Sequence, residues 1–279
     1  MPETQVLPAA EDVAFFEETG YWIAPKIIDD NRLEALRRHM TFIYNENYET
    51  GRMPFWNYWK PGSGRLRKTD NTHWSDFTIR ELVTDPVIGA IAAELMRTDI
   101  IRLWHDQLLF KPGLAINEAE ETANVGWHQD YHYWQCAEKP SLLTAWVAFD
   151  DVDGSNGCMQ VVKGSNHWGL VNVNNFFEQD LKKQESSMNV PSNSIFEPVP
   201  LIMKAGQVSF HHAMTLHGSG PNNTFKPRRS IAIHLMTGDT RYKAGTRGDG
   251  HMNVELYSPA DGDLFKGSMF PILYNRLTS

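Results

Sequence analysis

The sequence predicts a mainly β protein with helices gathered near its N-terminus, and three observations support this fold class. Apolar residues in the first hundred positions recur at helical spacing, most clearly at Leu33, Leu36, Met40 and Ile43. After residue 100, short runs such as "IRLWHDQLLF" alternate apolar and polar residues. Turn-forming clusters such as "DGSNG" and "GSGPNN" separate these runs. Several short strands with such turns are typical of a β-sandwich or β-barrel.

Three helices are predicted in the N-terminal part of the chain. The first covers residues 9–19, ends at Gly20 and leads into a strand, "YWIAP". The second begins at a capping aspartate in "DDNRLEALRR". The third covers residues 85–99, with Asp85 at the N-cap and Pro86 in the first turn.

The strands of the predicted core follow in chain order as "IRLWHDQLLF", "SLLTAWVAFDDV", "CMQVV", "QVSFHHAMTLH" and "RRSIAIHLM". The strongest linker candidate, residues 59–73, is interpreted as a loop within one domain. The prediction is therefore a single domain over residues 1–279. It has helical support over 9–100, a β core over about 101–237 and a loop-rich tail over 238–279 that wraps the core.

The composition limits the classes of function. A chain of 279 residues with a formal net charge of −8 gives no support for the concentrated cationic face that non-specific nucleic-acid binding needs. No apolar stretch approaches the roughly 18 residues of a membrane span, and the N-terminus lacks a signal-peptide pattern. With only Cys136 and Cys158, no disulfide framework is expected, which favours a reducing, cytoplasmic compartment. A monomer or homodimer without a nucleic-acid or membrane partner is predicted.

The segment "WHQDYHYW", residues 127–134, places two histidines and one aspartate among four aromatic side chains. In an extended strand His128 and Asp130 point to one side and Gln129 to the other. An imidazole and a carboxylate side by side can be two ligands of one metal ion, and His217 is the candidate third ligand. Two histidines and one carboxylate form the facial triad of non-haem Fe(II) oxygenases.

Simpler interpretations of these three residues stay open. A bare His-x-Asp pair occurs often by chance, and His128 and Asp130 could be a solvent-facing hydrogen-bonded pair. His217 could satisfy a buried backbone carbonyl. The other histidines nearby, His132, His211 and His212, are left out of the metal site.

A second motif strengthens the prediction of a site. Arg228 follows His217 by 11 residues, with a Gly- and Asn-rich turn between them. A hairpin there would return Arg228 towards the metal, and Ser230 would share its face. A guanidinium fork with one hydroxyl is a good clamp for a carboxylate. The neighbouring Arg229 is the alternative clamp.

These residues resemble a known family. "HQD" at 128–130, "LHGSGPN" at 216–222 and "PRRS" at 227–230 are similar to motifs of the phytanoyl-CoA dioxygenase family of Fe(II)/2-oxoglutarate oxygenases. The resemblance covers roughly residues 10 to 236. It implies a double-stranded β-helix, the jelly-roll core of the cupin type. It also implies Fe(II) held by His128, Asp130 and His217, with 2-oxoglutarate as co-substrate.

The same resemblance implies further roles. Arg228 would pair with the far carboxylate of 2-oxoglutarate, and Gln107 and Trp146 would lie beside the co-substrate. Because Asp130 is present, halogenation is not expected, since related halogenases have a small residue at that place. The run "KGSNH" departs from the family pattern, because Asn166 shifts the histidine by one, and no role is assigned to His167.

The predicted function is a 2-oxoglutarate-dependent dioxygenase that uses O2 to oxidise a small organic molecule, such as a secondary metabolite. By default it would hydroxylate its substrate, with desaturation or cyclisation as the alternatives, and release succinate and CO2. A zinc-dependent hydrolase and a non-catalytic metal- or ligand-binding barrel are the alternatives. The aromatic stripe "FWNYW" at 55–59 is either a lid over the substrate or a hydrophobic plug between helices and barrel.

Overall fold

The computed structural model describes residues 6–57, 66–114 and 123–278, and these residues form two antiparallel β-sheets with helices packed outside them. The strands are β1 (Tyr21–Ile23), β2 (Trp56–Asn57), β3 (Arg67–Asp70), β4 (Ile100–Lys111), β5 (Val125–His128), β6 (Leu142–Ala148), β7 (Met159–Val162), β8 (Pro198–Pro200), β9 (Val208–His212), β10 (His217–Ser219), β11 (Arg228–Thr237) and β12 (Ile272–Asn275). The helices are α1 (Ala10–Thr19), α2 (Asp30–Tyr44), α3 (Phe77–Val83), α4 (Pro86–Leu95), α5 (Leu181–Ser187) and α6 (Met252–Tyr257).

The two sheets have the strand order of a jelly roll. The larger sheet runs β1-β9-β6-β11-β4-β3-β2, and β12 also pairs with β4. The smaller sheet runs β5-β10-β7-β8. Neighbouring strands in these sheets are mostly distant in sequence, as expected when the chain crosses repeatedly from one sheet to the other. The predicted fold class, mainly β with N-terminal helices around a double-stranded β-helix, is confirmed.

The N-terminal helices begin and end where the sequence places its caps. Helix α1 ends at Gly20, which has a φ of 82° that few residues other than glycine adopt. The carboxylate of Asp29 accepts a hydrogen bond from the Arg32 amide at the start of α2. Asp85 accepts one from the Val87 amide, with Pro86 as the first residue of α4. The predicted third helix is shorter than expected, since it ends at Leu95.

Alternation along the strands of the larger sheet separates a dry core from a functional face. On β11, Ile231, Ile233 and Leu235 point outward and pack with the apolar faces of helices α1 to α4 in one buried cluster. The intervening residues, including Arg228 and His234, point inward between the two sheets. The helices therefore cover one face of the sheet and leave the other to carry polar side chains.

Three local predictions are wrong or incomplete. The predicted strand over 207–217 breaks after His212, because residues 213–216 turn before β10 begins at His217. Part of the predicted loop over 59–73 is β3, which pairs with both β2 and β4. The predicted tail contains α6 and also β12, whose pairing with β4 anchors it to the larger sheet.

The tail packs on the core through aromatic rings. Phe265 and Phe270 are buried with Trp104, and the Phe270 ring stacks on the indole with centroids 5.5 Å apart. Trp104 lies beside the place where the register of β4 and β11 shifts, between His234 and Leu235. Among the described helices, none has the length and apolar content that a membrane span requires.

Candidate active site

Three side chains with metal-binding atoms converge between the two sheets. His128 and His217 face each other directly across the β5–β10 pair. Gln129 has an extended backbone, so Asp130 lies on the same side as His128 although it begins a short 3-10 helix. The Asp130 Oδ1 atom is 3.6 Å from His128 Nε2 and 3.7 Å from His217 Nε2. One ligand atom from each residue lies within 4.8 Å of the others, and all three residues are buried.

Backbone carbonyls fix the orientation of both imidazoles. His128 Nδ1 donates to the Gly126 carbonyl at 2.7 Å, and His217 Nδ1 donates to the Thr215 carbonyl at 2.9 Å. In both rings this leaves the Nε2 lone pair available to a metal ion. The same arrangement orients histidine ligands in many metal sites.

A hydrogen-bond chain holds the carboxylate of Asp130. The Thr144 hydroxyl donates to Asp130 Oδ2 at 2.7 Å, and its oxygen lies 2.7 Å from His234 Nδ1. Because the hydroxyl proton goes to the carboxylate, His234 Nδ1 must be the donor in the second bond. His211 adds an Nε2 atom 3.5 Å from the same carboxylate oxygen. Asp130 Oδ1 is thus left to face the two imidazole ligands.

The electrostatics give these groups the charge states that a divalent cation needs. Burial lowers the pKa of His217 well below its usual value, and the nearby rings of His128 and His211 add to this effect. Burial also lowers the pKa of His128. Burial alone would raise the pKa of Asp130, but the rings of His217, His211 and His234 hold it well below its usual range. Two neutral imidazoles beside a charged carboxylate are ready to bind a metal without releasing a proton.

A narrow pocket leads inward from these ligands. It has a volume of about 50 Å³ and is lined on one side by His128, Asp130 and His217 and on the other by Arg228 and Trp146. The indole of Trp146 lies 5.2 Å from the Arg228 guanidinium carbon. Gln107 also lines this pocket, whereas Ser230 is absent from its lining.

The inner end of the narrow pocket carries the buried guanidinium of Arg228. Arg228 is 2% exposed and lies opposite Lys111, which is 0% exposed, on the paired strand β4. In the described part of the chain, neither side chain has an acidic partner within ion-pair distance, and burial lowers the pKa of Lys111 well below its usual value. Arg228 donates to the Gly157 carbonyl, and its Nε has no partner there. Lys111 donates to Ser219 Oγ at 2.7 Å. Buried, unpaired cations are costly, and a carboxylate is the group that this pocket fits.

The two alternatives for the clamp have different surroundings. Arg229 points away from the pocket and pairs with Asp150, with its Nη2 atom 2.7 Å from Oδ1. Ser230 is fully buried on the same strand face as Arg228, and its hydroxyl has no partner among the described residues. The geometry therefore favours Arg228 over Arg229 as the carboxylate clamp. Ser230 follows two residues later on the same face of β11.

The predicted route from His217 to Arg228 is wrong. The two residues do not lie on one hairpin, because β10 pairs with β5 and β7, whereas β11 pairs with β4 and β6 in the other sheet. The Gly- and Asn-rich segment crosses between the sheets. Arg228 still reaches the pocket, because the inner faces of the two sheets oppose each other.

A wider cavity opens on the other side of the same residues. It has a volume of about 340 Å³ and shares His128, Asp130, Gln107 and Phe176 with the narrow pocket. Its further lining residues are Lys68, Asp70, His105, Tyr133, Trp134, Phe177, Gly250, His251 and Met252. Two compartments of different size and polarity thus meet at one set of candidate ligands.

The aromatic residues near the first motif take different positions. Tyr133 and Trp134 line the wide cavity, whereas Tyr131 packs in the tail cluster and donates to the Ala137 carbonyl at 3.0 Å. The stripe at 55–59 falls partly outside the described residues. Of its members, Phe55 is 37% exposed and meets Trp74 edge-on, and neither cavity includes it.

Several side chains at this site were not assigned a role from sequence. Thr144 donates a hydrogen bond to Asp130, and His234 bonds to Thr144. Lys111 lies beside Arg228 on the paired strand. One signal could have found two of them. His234 and Lys111 share the inward face of paired strands with Arg228, at period-two positions within each strand.

Comparison with known proteins gives one consistent result. The family model for phytanoyl-CoA dioxygenase (PhyH) matches residues 16–230. The peroxisomal phytanoyl-CoA dioxygenase of Rattus norvegicus is 23% identical over 245 residues, which are 83% of this chain and 69% of that protein. The ectoine dioxygenase of Bordetella bronchiseptica is 25% identical over 249 residues, with 80% and 73% covered.

Solved structures share the fold. The non-haem α-ketoglutarate-dependent carbocyclase SnoK from nogalamycin biosynthesis aligns with a TM-score of 0.74 at 24% identity, and the alignment covers 98% of this chain and 99% of that one. EctD from S. alaskensis, solved with 2-oxoglutarate and 5-hydroxyectoine, aligns with a TM-score of 0.67 at 19% identity, with 86% and 80% covered.

Proposed function

The chain belongs to the phytanoyl-CoA dioxygenase family, and on that premise we propose that it is an Fe(II)- and 2-oxoglutarate-dependent dioxygenase acting on a small organic molecule. One observation on the residues of this chain supports the proposal. The His128, Asp130 and His217 ligand atoms lie within 4.8 Å of one another, beside a narrow pocket that ends at the unpaired Arg228. A facial triad next to a buried cation suits a metal and a dicarboxylate together.

The residues present fit both groups. His128, Asp130 and His217 would hold Fe(II), and Arg228, supported by Ser230, would bind the far carboxylate of 2-oxoglutarate. Trp146 and Gln107 would form the sides of the co-substrate pocket. When bound, Fe(II) and 2-oxoglutarate supply the oxidising chemistry with O2, and succinate and CO2 are released.

The protein's own contribution is to hold, orient and dry the site. Thr144 and His234 fix the carboxylate of Asp130, and the Gly126 and Thr215 carbonyls fix the two imidazoles. Phe176 packs edge-on against His128 with centroids 5.1 Å apart and gives that side of the imidazole an apolar neighbour. A rigid, dry setting protects a reactive centre from side reactions.

The surroundings of Arg228 also weigh against a zinc hydrolase. A hydrolase that activates water at the metal has no use for a buried guanidinium at the end of a separate pocket. The presence of Asp130 likewise argues against halogenation. Oxygenation is therefore the reaction that uses every part of the site.

The wide cavity favours a compact substrate over an acyl-CoA. The described cations of the basic segment 64–70, Arg67 and Lys68, are engaged within the fold and do not form a phosphate-binding rim. Lys68 Nζ lies 2.6 Å and 2.7 Å from the two oxygens of Asp70, and the Arg67 guanidinium lies 3.8 Å from the centroid of the Tyr44 ring. A volume of about 340 Å³ is in the range of small-molecule sites.

The test is addition of Fe(II) and 2-oxoglutarate without oxygen, followed by admission of air. We expect a weak visible charge-transfer band in the anaerobic sample and succinate after oxygen is admitted. Asp130→Ala should lose both while keeping the circular dichroism of the parent protein. Asp151→Ala, which changes an exposed carboxylate on the surface, is the matched control and should keep both signals.

Succinate formation by Asp130→Ala would remove this residue from the ligand set. Tight zinc binding with ester hydrolysis, and no band with iron, would support the hydrolase instead.

A further inference from the structure

The wide cavity is lined by two chemically different sets of side chains. The aromatic set is Tyr133, Trp134, Phe176 and Phe177. The polar set is His105, Gln107, His251 and the Lys68–Asp70 pair, and His105 meets the Trp134 ring edge-on. Such a combination favours a ligand with a flat apolar part and a few polar groups at one edge.

His105 is the unusual member of the polar set. It is 1% exposed, and neither of its ring nitrogens has a hydrogen-bond partner among the residues described. Its ring lies 4.4 Å from that of His234 and 4.8 Å from that of His251, measured between centroids. A buried polar group without a partner destabilises the fold. Such a group in a cavity wall is explained when its partner is a ligand.

His251 provides a hydrogen-bond donor beside His105. It is the N-cap of α6, where its Nδ1 accepts from the Asn253 amide at 3.2 Å. The ring proton is therefore on Nε2. The imidazole packs against the Trp104 indole, with centroids 4.8 Å apart, so its orientation is restricted.

The two compartments differ in charge. The narrow pocket is lined by Arg228, which has no acidic partner in the described ranges. In the wide cavity, by contrast, Lys68 is neutralised by Asp70. Burial lowers the pKa of His251 to about 3 and that of His105 well below its usual value, so both imidazoles are neutral near pH 7. An anion is therefore favoured in the narrow pocket and an uncharged molecule in the wide cavity.

Building on the proposed function, we propose that the substrate is an uncharged ring compound with a hydroxyl or carbonyl oxygen. Its ring lies against Tyr133, Trp134 and Phe176, and its oxygen bonds to His105 and His251. Because His128 and Asp130 line the same cavity, this placement brings a carbon near that oxygen to the candidate metal centre.

Three probes of matched size test the chemistry of recognition: 2-naphthol, naphthalene and 2-naphthoate. Binding to the purified protein, without metal or 2-oxoglutarate, is measured by ligand-observed NMR and by quenching of tryptophan fluorescence. We expect 2-naphthol to bind roughly fivefold or more tightly than naphthalene, the value of one hydrogen bond, and more tightly than 2-naphthoate. Equal or tighter binding of 2-naphthoate would overturn the proposal.

His105→Leu separates recognition from a structural role. A structural histidine would destabilise the fold when replaced, whereas an unpaired one should leave the unfolding temperature unchanged or raise it. We expect that thermal result together with loss of the 2-naphthol preference. His167→Leu, at an exposed histidine that bonds to the Glu17 carbonyl, is the control for the 2-naphthol preference, which it should leave unchanged. Lower thermal stability with unchanged 2-naphthol binding would contradict the proposal.

A second variant covers the case in which His105→Leu does not fold. His251→Phe keeps the ring against Trp104 and removes the donor, so it should weaken 2-naphthol binding and leave naphthalene binding unchanged. Unchanged 2-naphthol binding would overturn the role of His251. Co(II) and 2-oxoglutarate binding are measured on the same samples. If they persist while the probes fail to discriminate, the substrate proposal is wrong and the dioxygenase proposal stands.

Discussion

At the scale of residues, the polar atoms of the site divide into those that have a hydrogen-bond partner among the described residues and those that have none there. His128 and His217 each use Nδ1 on a backbone carbonyl and leave Nε2 for a metal. Arg228 keeps a nitrogen without a partner in the described part of the chain, whereas Arg229 is engaged by Asp150. Partnered atoms therefore support the structure, and unpartnered atoms in the cavities indicate where ligands bind.

Arg228→Ala should raise the 2-oxoglutarate concentration needed for half-maximal succinate formation by an order of magnitude or more. The reason is the loss of a buried, charge-assisted bond to the co-substrate. The measurement is succinate release over a 2-oxoglutarate titration. Arg229→Ala, at the adjacent position, is the control and should leave that concentration unchanged. The opposite pattern would transfer the clamp to Arg229.

Thr144→Val should weaken metal binding by roughly tenfold or more, because removing a partner of a ligand commonly costs 10–100-fold in affinity. The variant keeps the shape of the side chain but breaks the link between His234 and Asp130. Calorimetric titration with Co(II) measures the effect. Thr69→Val, on β3 with its hydroxyl near Asn57, is the control. Equal affinities in the two variants would remove Thr144 from the positioning of Asp130.

At the scale of elements, the strands that present the ligands depend on close backbone approach. A Cβ atom on Gly126 would lie 2.0 Å from the Asn175 carbonyl oxygen, so β5 can pass that loop only with glycine at this position. Gly126 also supplies the carbonyl that orients His128. The same residue therefore affects both the stability of the strand and the geometry of a ligand.

Gly126→Ala should lower the unfolding temperature by about 3–10 °C, because overpacking costs about 1–3 kcal/mol. It should also weaken Co(II) binding through the displaced carbonyl. Gly154→Ala is the control, because a Cβ atom there meets nothing within 4 Å. Differential scanning calorimetry and metal titration report the two effects. A variant as stable as Gly154→Ala would show that the loop at Asn175 moves freely.

The sequence predicted the elements whose signals are local and missed those set by tertiary contacts. Gly20, Asp29 and Asp85 mark helix ends by their own chemistry, and β4 and β11 are marked by runs rich in apolar residues. The break after His212 was missed, because "HHAMTLH" contains no glycine or proline. Strand β3 was missed because its charged residues are buried through the Lys68–Asp70 pair, a contact that sequence patterns do not reveal.

The candidate site was predictable to a similar degree. The three candidate ligands and Arg228 follow from motifs and from family resemblance, and the structure brings them together. The path between His217 and Arg228 was predicted incorrectly, because a turn-rich segment does not reveal whether it joins two paired strands or two sheets. Thr144, His234 and His105 are ordinary strand residues in the sequence, and their proximity depends on strand register.

At the scale of the whole molecule, buried neutral histidines make stability sensitive to acid. Burial lowers the pKa of His212 to about 4 and that of His251 to about 3, against an ordinary value of about 6.5. Between roughly pH 6.5 and pH 4 the unfolded chain binds protons that the folded chain does not. Their contribution to stability is fully present above pH 6.5 and is lost as the pH falls through that range.

The metal-free protein should therefore unfold at a lower temperature at pH 5 than at pH 7. The slope of stability against pH should decrease in His212→Gln, which removes one of these groups. Calorimetry in the presence of a chelator measures both. A stability that is flat from pH 7 to pH 5 would mean that these side chains take up protons in the folded state.

The residues that line the wide cavity come from two separate parts of the chain, the C-terminal tail and the β core. Gly250, His251 and Met252 belong to the tail beyond the family match at residues 16–230, while the candidate ligands lie on β5 and β10 and in the adjoining 3-10 helix. Exchange of the tail segment can thus alter which compound is accepted without touching the metal-binding strands. A scaffold divided in this way is suited to acquiring new specificities, and a library randomised at 250–252 is the natural starting point for redirecting it.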